Sequence, residues 1–168
     1  MEHLDKFESG FIIETGTAWD RNNWDGQGQS TLIWDWVLLS KPAFRAISID
    51  ITPLHVETAR SQVVSPNICI WLGDSVRTLN TIDCDIIAQC RLLYLDSYDW
   101  QTDINLESAF HHMAELATVW PLLPSGCMIV VDDRHGLRAG KHWLVEAFMK
   151  QLGIEPCFVD YQIGWVKP

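Results

Sequence analysis

Five short apolar runs along this chain each end in an acidic residue, and that repetition limits the possible folds more than any other feature. Phe11-Ile12-Ile13 runs into Glu14, Ala46-Ile47-Ser48-Ile49 into Asp50, and Ile68 through Gly73 into Asp74. Leu92-Leu93-Tyr94-Leu95 ends in Asp96, and Cys127-Met128-Ile129-Val130-Val131 in the adjacent pair Asp132 and Asp133. A short continuous apolar run reads as a strand buried on both faces, which is how strands of a parallel sheet look. In an open parallel sheet the ligand crevice lies beyond the carboxyl ends of the strands, so the pattern delivers acids to one place.

The segments between the runs carry helical signals. After the first strand (Gly10–Glu14) a polar loop from Thr15 to about Gly28 leads to a helix that Ser30 or Thr31 can cap. Ile33, Trp36, Val37 and Ser40 share one face of it, and Pro42 stops it. Thr52 with Pro53 opens a helix to about Gln62, and a short helix over Ser75–Leu79 and a loop precede strand four. Leu106, Phe110, Met113, Ala117 and Trp120 form a helical stripe, and a helix from Lys141 to Leu152 ends at Gly153. Cys157–Tyr161 and Gly164–Val166 lie too close for a crossover helix and predict an antiparallel hairpin at the sheet edge. The alternation predicts a single doubly wound α/β domain over residues 1–168, with right-handed crossovers.

Composition excludes several function classes. The 168 residues are 48% hydrophobic, enough for one core, and carry a net charge of −10. Such an acidic surface repels phosphate backbones and anionic lipid, so neither nucleic acid nor membrane is expected as a partner. No apolar run reaches the length of a membrane span. Five cysteines without a C-x-x-C pair, three of them in predicted strands, read as buried reduced thiols and a cytoplasmic setting.

The strand ends suggest what the crevice holds. Gly16 lets the backbone turn sharply after strand one and approach a ligand. Gly26-Gln27-Gly28-Gln29-Ser30-Thr31 opens the first helix, whose backbone N–H groups suit a carboxylate. Asp50 ends strand two where an acid binds ribose hydroxyls, and Asp74 is placed to accept from an adenine amine. Each element alone is common turn chemistry. In this order they predict an adenosine-bearing cofactor.

The series Glu14-Thr15-Gly16-Thr17, Ser48-Ile49-Asp50, Gly73-Asp74-Ser75, Leu95-Asp96-Ser97 and Val131-Asp132-Asp133 resembles class I S-adenosylmethionine-dependent methyltransferases, from about Phe11 to Val166. The resemblance implies a Rossmann-like seven-stranded sheet of order 3-2-1-4-5-7-6 with the last strand antiparallel. It implies S-adenosyl-L-methionine as cofactor, with Glu14 and Gly16 flanking the methionine part, Asp50 on the ribose and Asp74 with Ser75 at the adenine. Thr17, Gly28, Ser30 and Asp96 complete the expected cofactor contacts. The usual acidic-x-Gly-x-Gly-x-Gly turn is interrupted here, since about ten residues separate Gly16 from Gly26 and Gly28. The cofactor loop is therefore longer than normal.

Asp96, Asp132 and Asp133 resemble the metal ligands of cation-dependent small-molecule O-methyltransferases of the catechol and macrocin types. Converging carboxylates repel unless protonated or bridged by a cation, and an all-oxygen set favours Mg²⁺ or Ca²⁺. The plain alternative is a solvated trio in which these acids cap turns. The catechol-type lysine is absent from Asp96-Ser97-Tyr98-Asp99-Trp100, which leaves Asp99 and His135 as candidate catalytic bases. His111, His112 and His142 are expected on helix surfaces.

Of the nine tryptophans, Trp34, Trp36, Trp71, Trp120 and Trp143 are expected in the core. Trp19, Trp24 and Trp100 fall in loops at the cofactor edge, where they stack on an acceptor or pin the loop. About ten residues precede strand one, so the helices that usually cover the acceptor in the family it resembles are expected to be absent. The acceptor site is expected to be open, or completed by a second copy or a partner subunit. The reading is methyl transfer to a small-molecule or sugar hydroxyl. Two rivals are a non-catalytic cofactor-binding module of a larger assembly and an NAD-dependent oxidoreductase, the latter from Gly26-x-Gly28-x-x-Thr31.

Overall fold

A computed structural model describes residues 2–20, 24, 29–98, 106–135 and 139–168, with the backbone alone at 135 and 139. The strands are β1 (Gly10–Thr15), β2 (Phe44–Asp50), β3 (Ile68–Leu72), β4 (Cys90–Leu95), β5 (Met128–Val131), β6 (Arg134–His135), β7 (Ala139–Gly140), β8 (Phe158–Val159) and β9 (Ile163–Val166). The helices are α1 (Ser30–Ser40), α2 (Pro53–Arg60), α3 (Ser75–Leu79), α4 (Cys84–Ile87), α5 (Leu106–Val119) and α6 (Trp143–Gln151). Seven strands form one sheet in the order β3-β2-β1-β4-β5-β9-β8, and β6 pairs with β7 in a separate ribbon. With the ribbon left out of the count, this is the expected order 3-2-1-4-5-7-6. The first five strands are parallel, and β9 runs antiparallel to both β5 and β8.

Alternation across the pleat explains why the strands read as continuous apolar runs. Ile13, Leu93, Ile129 and Val131 face a core shared with Leu116 and Val119 of α5 and Val145 and Met149 of α6. Their neighbours Ile12, Leu92 and Val130 face a second core with Val37 and Leu38 of α1 and Val56 and Ala59 of α2. Both faces are covered, so both sets of side chains must be apolar.

The helix faces differ from expectation. On α5 the buried residues are Ser108, Ala109, His112, Glu115, Leu116 and Val119, whereas Leu106 and Phe110 are exposed. On α1, Thr31, Asp35, Val37 and Leu38 are buried, and Trp36 is 56% exposed instead of lying in the core. In both helices polar side chains with fixed partners take interior positions: the Asp35 carboxylate accepts from the backbone N–H groups of Val64 and Ser65. Gln29, not Ser30 or Thr31, is the N-cap of α1, with no side-chain cap bond. Thr52 is the N-cap of α2 with Pro53 next, as expected, but its side chain makes no cap bond. The cysteines are free, but only Cys90 and Cys127 are buried. Among the described residues, no helix is long and apolar enough to cross a membrane.

Candidate active site

The site begins where β1 ends. Gly16 sits at φ +84°, and a Cβ there would stand 2.5 Å from the Asp96 carbonyl oxygen. Only glycine lets the β1 turn lie this close to the end of β4. The turn then lays Thr17 against the end of β2: Thr17 N and Oγ1 donate to Asp50 Oδ2 at 3.1 and 3.3 Å. Asp50 Oδ1 accepts from Thr52 N at 2.7 Å, and His55 Nδ1 lies 3.2 Å from Oδ2. The Trp19 ring stacks on His55, with centroids 5.5 Å apart.

A cavity of about 950 Å³ opens over these strand ends, within the range of small-molecule sites. Gly16, Thr17, Ser30, Asp50, Asp74, Ser75, Asp96, Asp132 and Asp133 all line it. Asp99 and Gly28, with Gly26 and Trp100, lie outside the described residues, as does the His135 side chain.

Glu14 takes a different place. Its carboxylate is buried behind the cavity wall, accepting from Thr31 Oγ1 at 2.7 Å, from Trp34 Nε1 at 2.8 Å and from Ser48 Oγ at 2.5 Å. Burial pushes its pKa up against the downward pull of those hydrogen bonds. Thr31 Oγ1 in turn accepts from Ala18 N at 2.9 Å, so Glu14 locks α1 and the cofactor loop onto β1 and β2. Glu14 is not among the residues that line the cavity, and it reaches the cavity only through these neighbours.

Beyond the end of β3 the cavity carries a histidine–glutamate pair. Asp74 caps α3 by accepting from Arg77 N at 2.9 Å, and Ser75 Oγ lies 2.9 Å from His111 Nε2. Glu115, fully buried, accepts from Ser97 Oγ at 2.5 Å and Thr15 Oγ1 at 3.2 Å and lies 3.3 Å from His111 Nε2. The hydrogen bond to Glu115 raises the His111 pKa, against the opposing effect of burial. Burial works to raise Glu115, but the bonds from His111, Ser75 and Ser97 hold it below the usual range. The expectation of surface histidines is thus corrected: His111 lines the cavity, and His112 and His142 are fully buried. His112 is pushed down to about 4 by its burial.

The acids after β4 and β5 do come together, and a lysine comes with them. Lys141 Nζ donates to Asp96 Oδ1 at 2.6 Å and lies 2.9 Å from Asp133 Oδ2, with its side chain fully buried. The Tyr161 hydroxyl donates to Asp133 Oδ1. Asp133 sits in the left-handed region at φ 50°, which an aspartate tolerates better than most residues. Asp132 is anchored by its N–H on the Leu95 carbonyl at 3.1 Å, and its Oδ1 is buried with no hydrogen-bond partner. Burial drives Asp96 well above the usual carboxylate range, Lys141 opposing this and Asp132 and Asp133 adding to it. Lys141, like Glu115 and Tyr161, was not singled out from the sequence.

The Asp132 oxygen without a hydrogen-bond partner is a candidate metal ligand beside the Lys141-bridged pair. Asp96, Asp132 and Asp133 are not gathered as tightly as a ready cation site: among the described residues, the group of potential donors within 4.8 Å of one another is Asp83, Cys84 and Asp85. It is exposed, lies at the amino-terminal end of β4 away from the cavity, and is only an acidic cluster.

The chain matches no protein-family model and no curated protein sequence. Solved structures do share its architecture. It is similar to CalS11, a TDP-rhamnose 3'-O-methyltransferase of calicheamicin biosynthesis, at 13% identity and a TM-score of 0.64, covering 98% of this chain and 74% of that one. The mycinamycin-pathway methyltransferase MycE, solved with Mg, SAH and mycinamycin VI, matches at 15% identity and a TM-score of 0.63, covering 99% of this chain and 46% of MycE. The O-methyltransferase NovP matches at 13% identity and a TM-score of 0.67, covering 94% and 72%. The chain has the fold of class I S-adenosylmethionine-dependent methyltransferases.

Proposed function

We propose that this chain transfers the methyl group of S-adenosyl-L-methionine to a hydroxyl of a small molecule or sugar, assisted by Mg²⁺ or Ca²⁺. The observation that carries the proposal is that one cavity joins two walls. Gly16, Asp50 and Asp74 line the first, and Asp96, Asp132 and Asp133 the second. The similar structures support it, MycE having been solved with both Mg and SAH. The net charge of −10 argues for a small acceptor and against nucleic acid.

In this reading Asp50 accepts from the ribose hydroxyls, and Asp74 and Ser75 meet the adenine. The Gly16 turn lets the main chain approach the methionine part, with Thr17 and Ser30 beside it. The acceptor hydroxyl enters on the side of the second wall. Its oxygen attacks the sulfonium methyl carbon, a C–O bond forms as the C–S bond breaks, and the hydroxyl proton leaves to a base. We assign that role to Asp99 or His135. Asp96, Asp132 and Asp133 would hold the cation, which when bound lowers the pKa of the acceptor hydroxyl. Trp19 and Trp24, 41% and 52% exposed, line the cavity on the Asp50 side as apolar surface that a second copy or a partner subunit would cover.

Calorimetry with S-adenosylhomocysteine, NAD and Mg²⁺ tests this reading against its rivals. S-adenosylhomocysteine is expected to bind and NAD not to. Asp50→Ala is expected to weaken that binding by about 1.5–3 kcal/mol, the worth of hydrogen bonds to a charged group. Unchanged affinity would remove Asp50 from the site. Methyl transfer to a panel of hydroxyl acceptors, lost with a chelator and restored by Mg²⁺, distinguishes the enzyme from a cofactor-binding module.

A further inference from the structure

We propose that Lys141 is a resident cation of the acidic centre, a positioning residue that holds Asp96 and Asp133 in place before a metal or an acceptor arrives. The inference deepens the metal-assisted reading and rests on it for the role of the site.

The geometry is a bridge. Asp96 follows β4 and Asp133 follows β5, so the pairing of these adjacent strands brings the two ends together but does not itself join the carboxylates. The Lys141 ammonium ties them, at 2.6 Å to one and 2.9 Å to the other, and also reaches the Asp96 carbonyl at 3.4 Å. A lysine with no exposed surface is rare unless its charge is paired, and the desolvation it suffers is offset only by good hydrogen-bond geometry.

Its delivery is built into the fold. The β6–β7 ribbon registers Arg134 against Gly140, and Arg134 N donates to the Tyr161 carbonyl at 2.7 Å, docking the ribbon on the β8–β9 turn. Gly140 at φ +93° then turns the chain, so that the next residue, Lys141, points inward. Lys141 is not among the residues that line the cavity, whereas Asp96, Asp132 and Asp133 are. The ammonium therefore stands behind the carboxylates and leaves their cavity side to a ligand.

The resulting function is charge compensation. Without Lys141, Asp96 and Asp133 would face each other beside Asp132 and the centre would lean on a metal to stay assembled. With it, two of the three carboxylates are tied to an ammonium, and the fold does not require a metal ion.

The test is thermal melting of the wild type, Lys141→Met and Lys141→Arg, each with and without millimolar Mg²⁺, at constant ionic strength. Lys141→Met is expected to melt lower without metal and to gain from Mg²⁺ about twofold or more what the wild type gains, because binding to the folded state stabilises it. Lys141→Arg, which keeps the charge, is expected to restore the wild-type response, a rescue that a purely packing role would not produce. Equal Mg²⁺ responses in wild type and Lys141→Met overturn the proposal. If Lys141→Met does not fold, the double variant Asp133→Asn with Lys141→Met decides. Recovery of folding when one carboxylate is removed with the ammonium supports the proposal, and failure to recover overturns it. Binding of S-adenosylhomocysteine is read in parallel. Its loss in the wild type refutes the methyltransferase reading and leaves the melting comparison to judge Lys141.

Discussion

Replacing Glu14 with glutamine removes a charge at nearly constant volume and sets an amide among groups that all donate. Oε1 of Glu14 accepts from the Trp34 indole, and Oε2 from the Thr31 and Ser48 hydroxyls. A glutamine can turn its carbonyl to Trp34, whose N–H cannot reverse, but its amide then confronts two hydroxyls. Ser48 can rotate its proton onto the Gly16 carbonyl, already 3.3 Å away. Thr31 already accepts from Ala18 N, so its own proton is stranded. One stranded buried donor costs about 1–3 kcal/mol, which for a chain of this size lowers Tm by roughly 3–9 °C. The sign of the pH dependence comes from burial, which raises the Glu14 pKa. Stability from an acid with a raised pKa is fully present below its unfolded value and lost as pH rises through the folded one. The gap between wild type and Glu14→Gln is therefore expected to be widest at acid pH and to narrow as pH rises past the ordinary carboxylate range. Melting curves measured by circular dichroism across that range check this. A Tm equal to wild type at every pH, or a loss of S-adenosylhomocysteine affinity with no loss of stability, would refute the assignment of Glu14 as an internal clamp.

Gly16→Ala is expected to lower Tm and to abolish S-adenosylhomocysteine binding, because its Cβ would meet the Asp96 carbonyl oxygen at 2.5 Å with the backbone at φ +84°. Wild-type melting and affinity in that variant would show that β1 and β4 are not held this close. His111, raised chiefly by its bond to Glu115, contributes stability that is full below its unfolded pKa and lost as pH rises through the higher folded value. An NMR titration is expected to place its midpoint above that of a free histidine, and Glu115→Gln to bring it back down. An unshifted midpoint would count against the pair.

How legible each part was depends on whether its signal is local. The strand runs were legible because both faces of the sheet are covered, which forces apolar residues at consecutive positions such as Ile12 and Ile13. Asp50, Asp74, Asp96, Asp132 and Asp133 were legible because a strand's end fixes where the next residue points. The buried face of α5 was not. The apolar stripe through Leu106 and Phe110 has helical spacing, yet the interior took His112 and Glu115, whose partners on β1, the β4 loop and α5 itself leave no pattern in the local sequence. Lys141 was hidden for a similar reason. Its ribbon has two residues in each strand, too few for periodicity, and its partners lie 45 and 8 positions away. Glu14 sits where the motif puts it, but which side of the wall its carboxylate occupies is decided by Thr31, Trp34 and Ser48.

The antiparallel insertion of β9 makes the order of synthesis part of the site's assembly. The parallel strands β1 to β5 can pair as they emerge, but the outer edge of β5 stays open until residues 163–166 arrive to zip against it. The same hairpin brings Tyr161 to Asp133 and Gln162 to the Tyr94 hydroxyl, at 2.7 Å for the latter. The acidic centre is thus finished by late-arriving residues, and a nascent chain halted before them presents an apolar, unpaired strand edge of the kind that recruits foreign strands. Competence and protection from aggregation are gained in the same closing step.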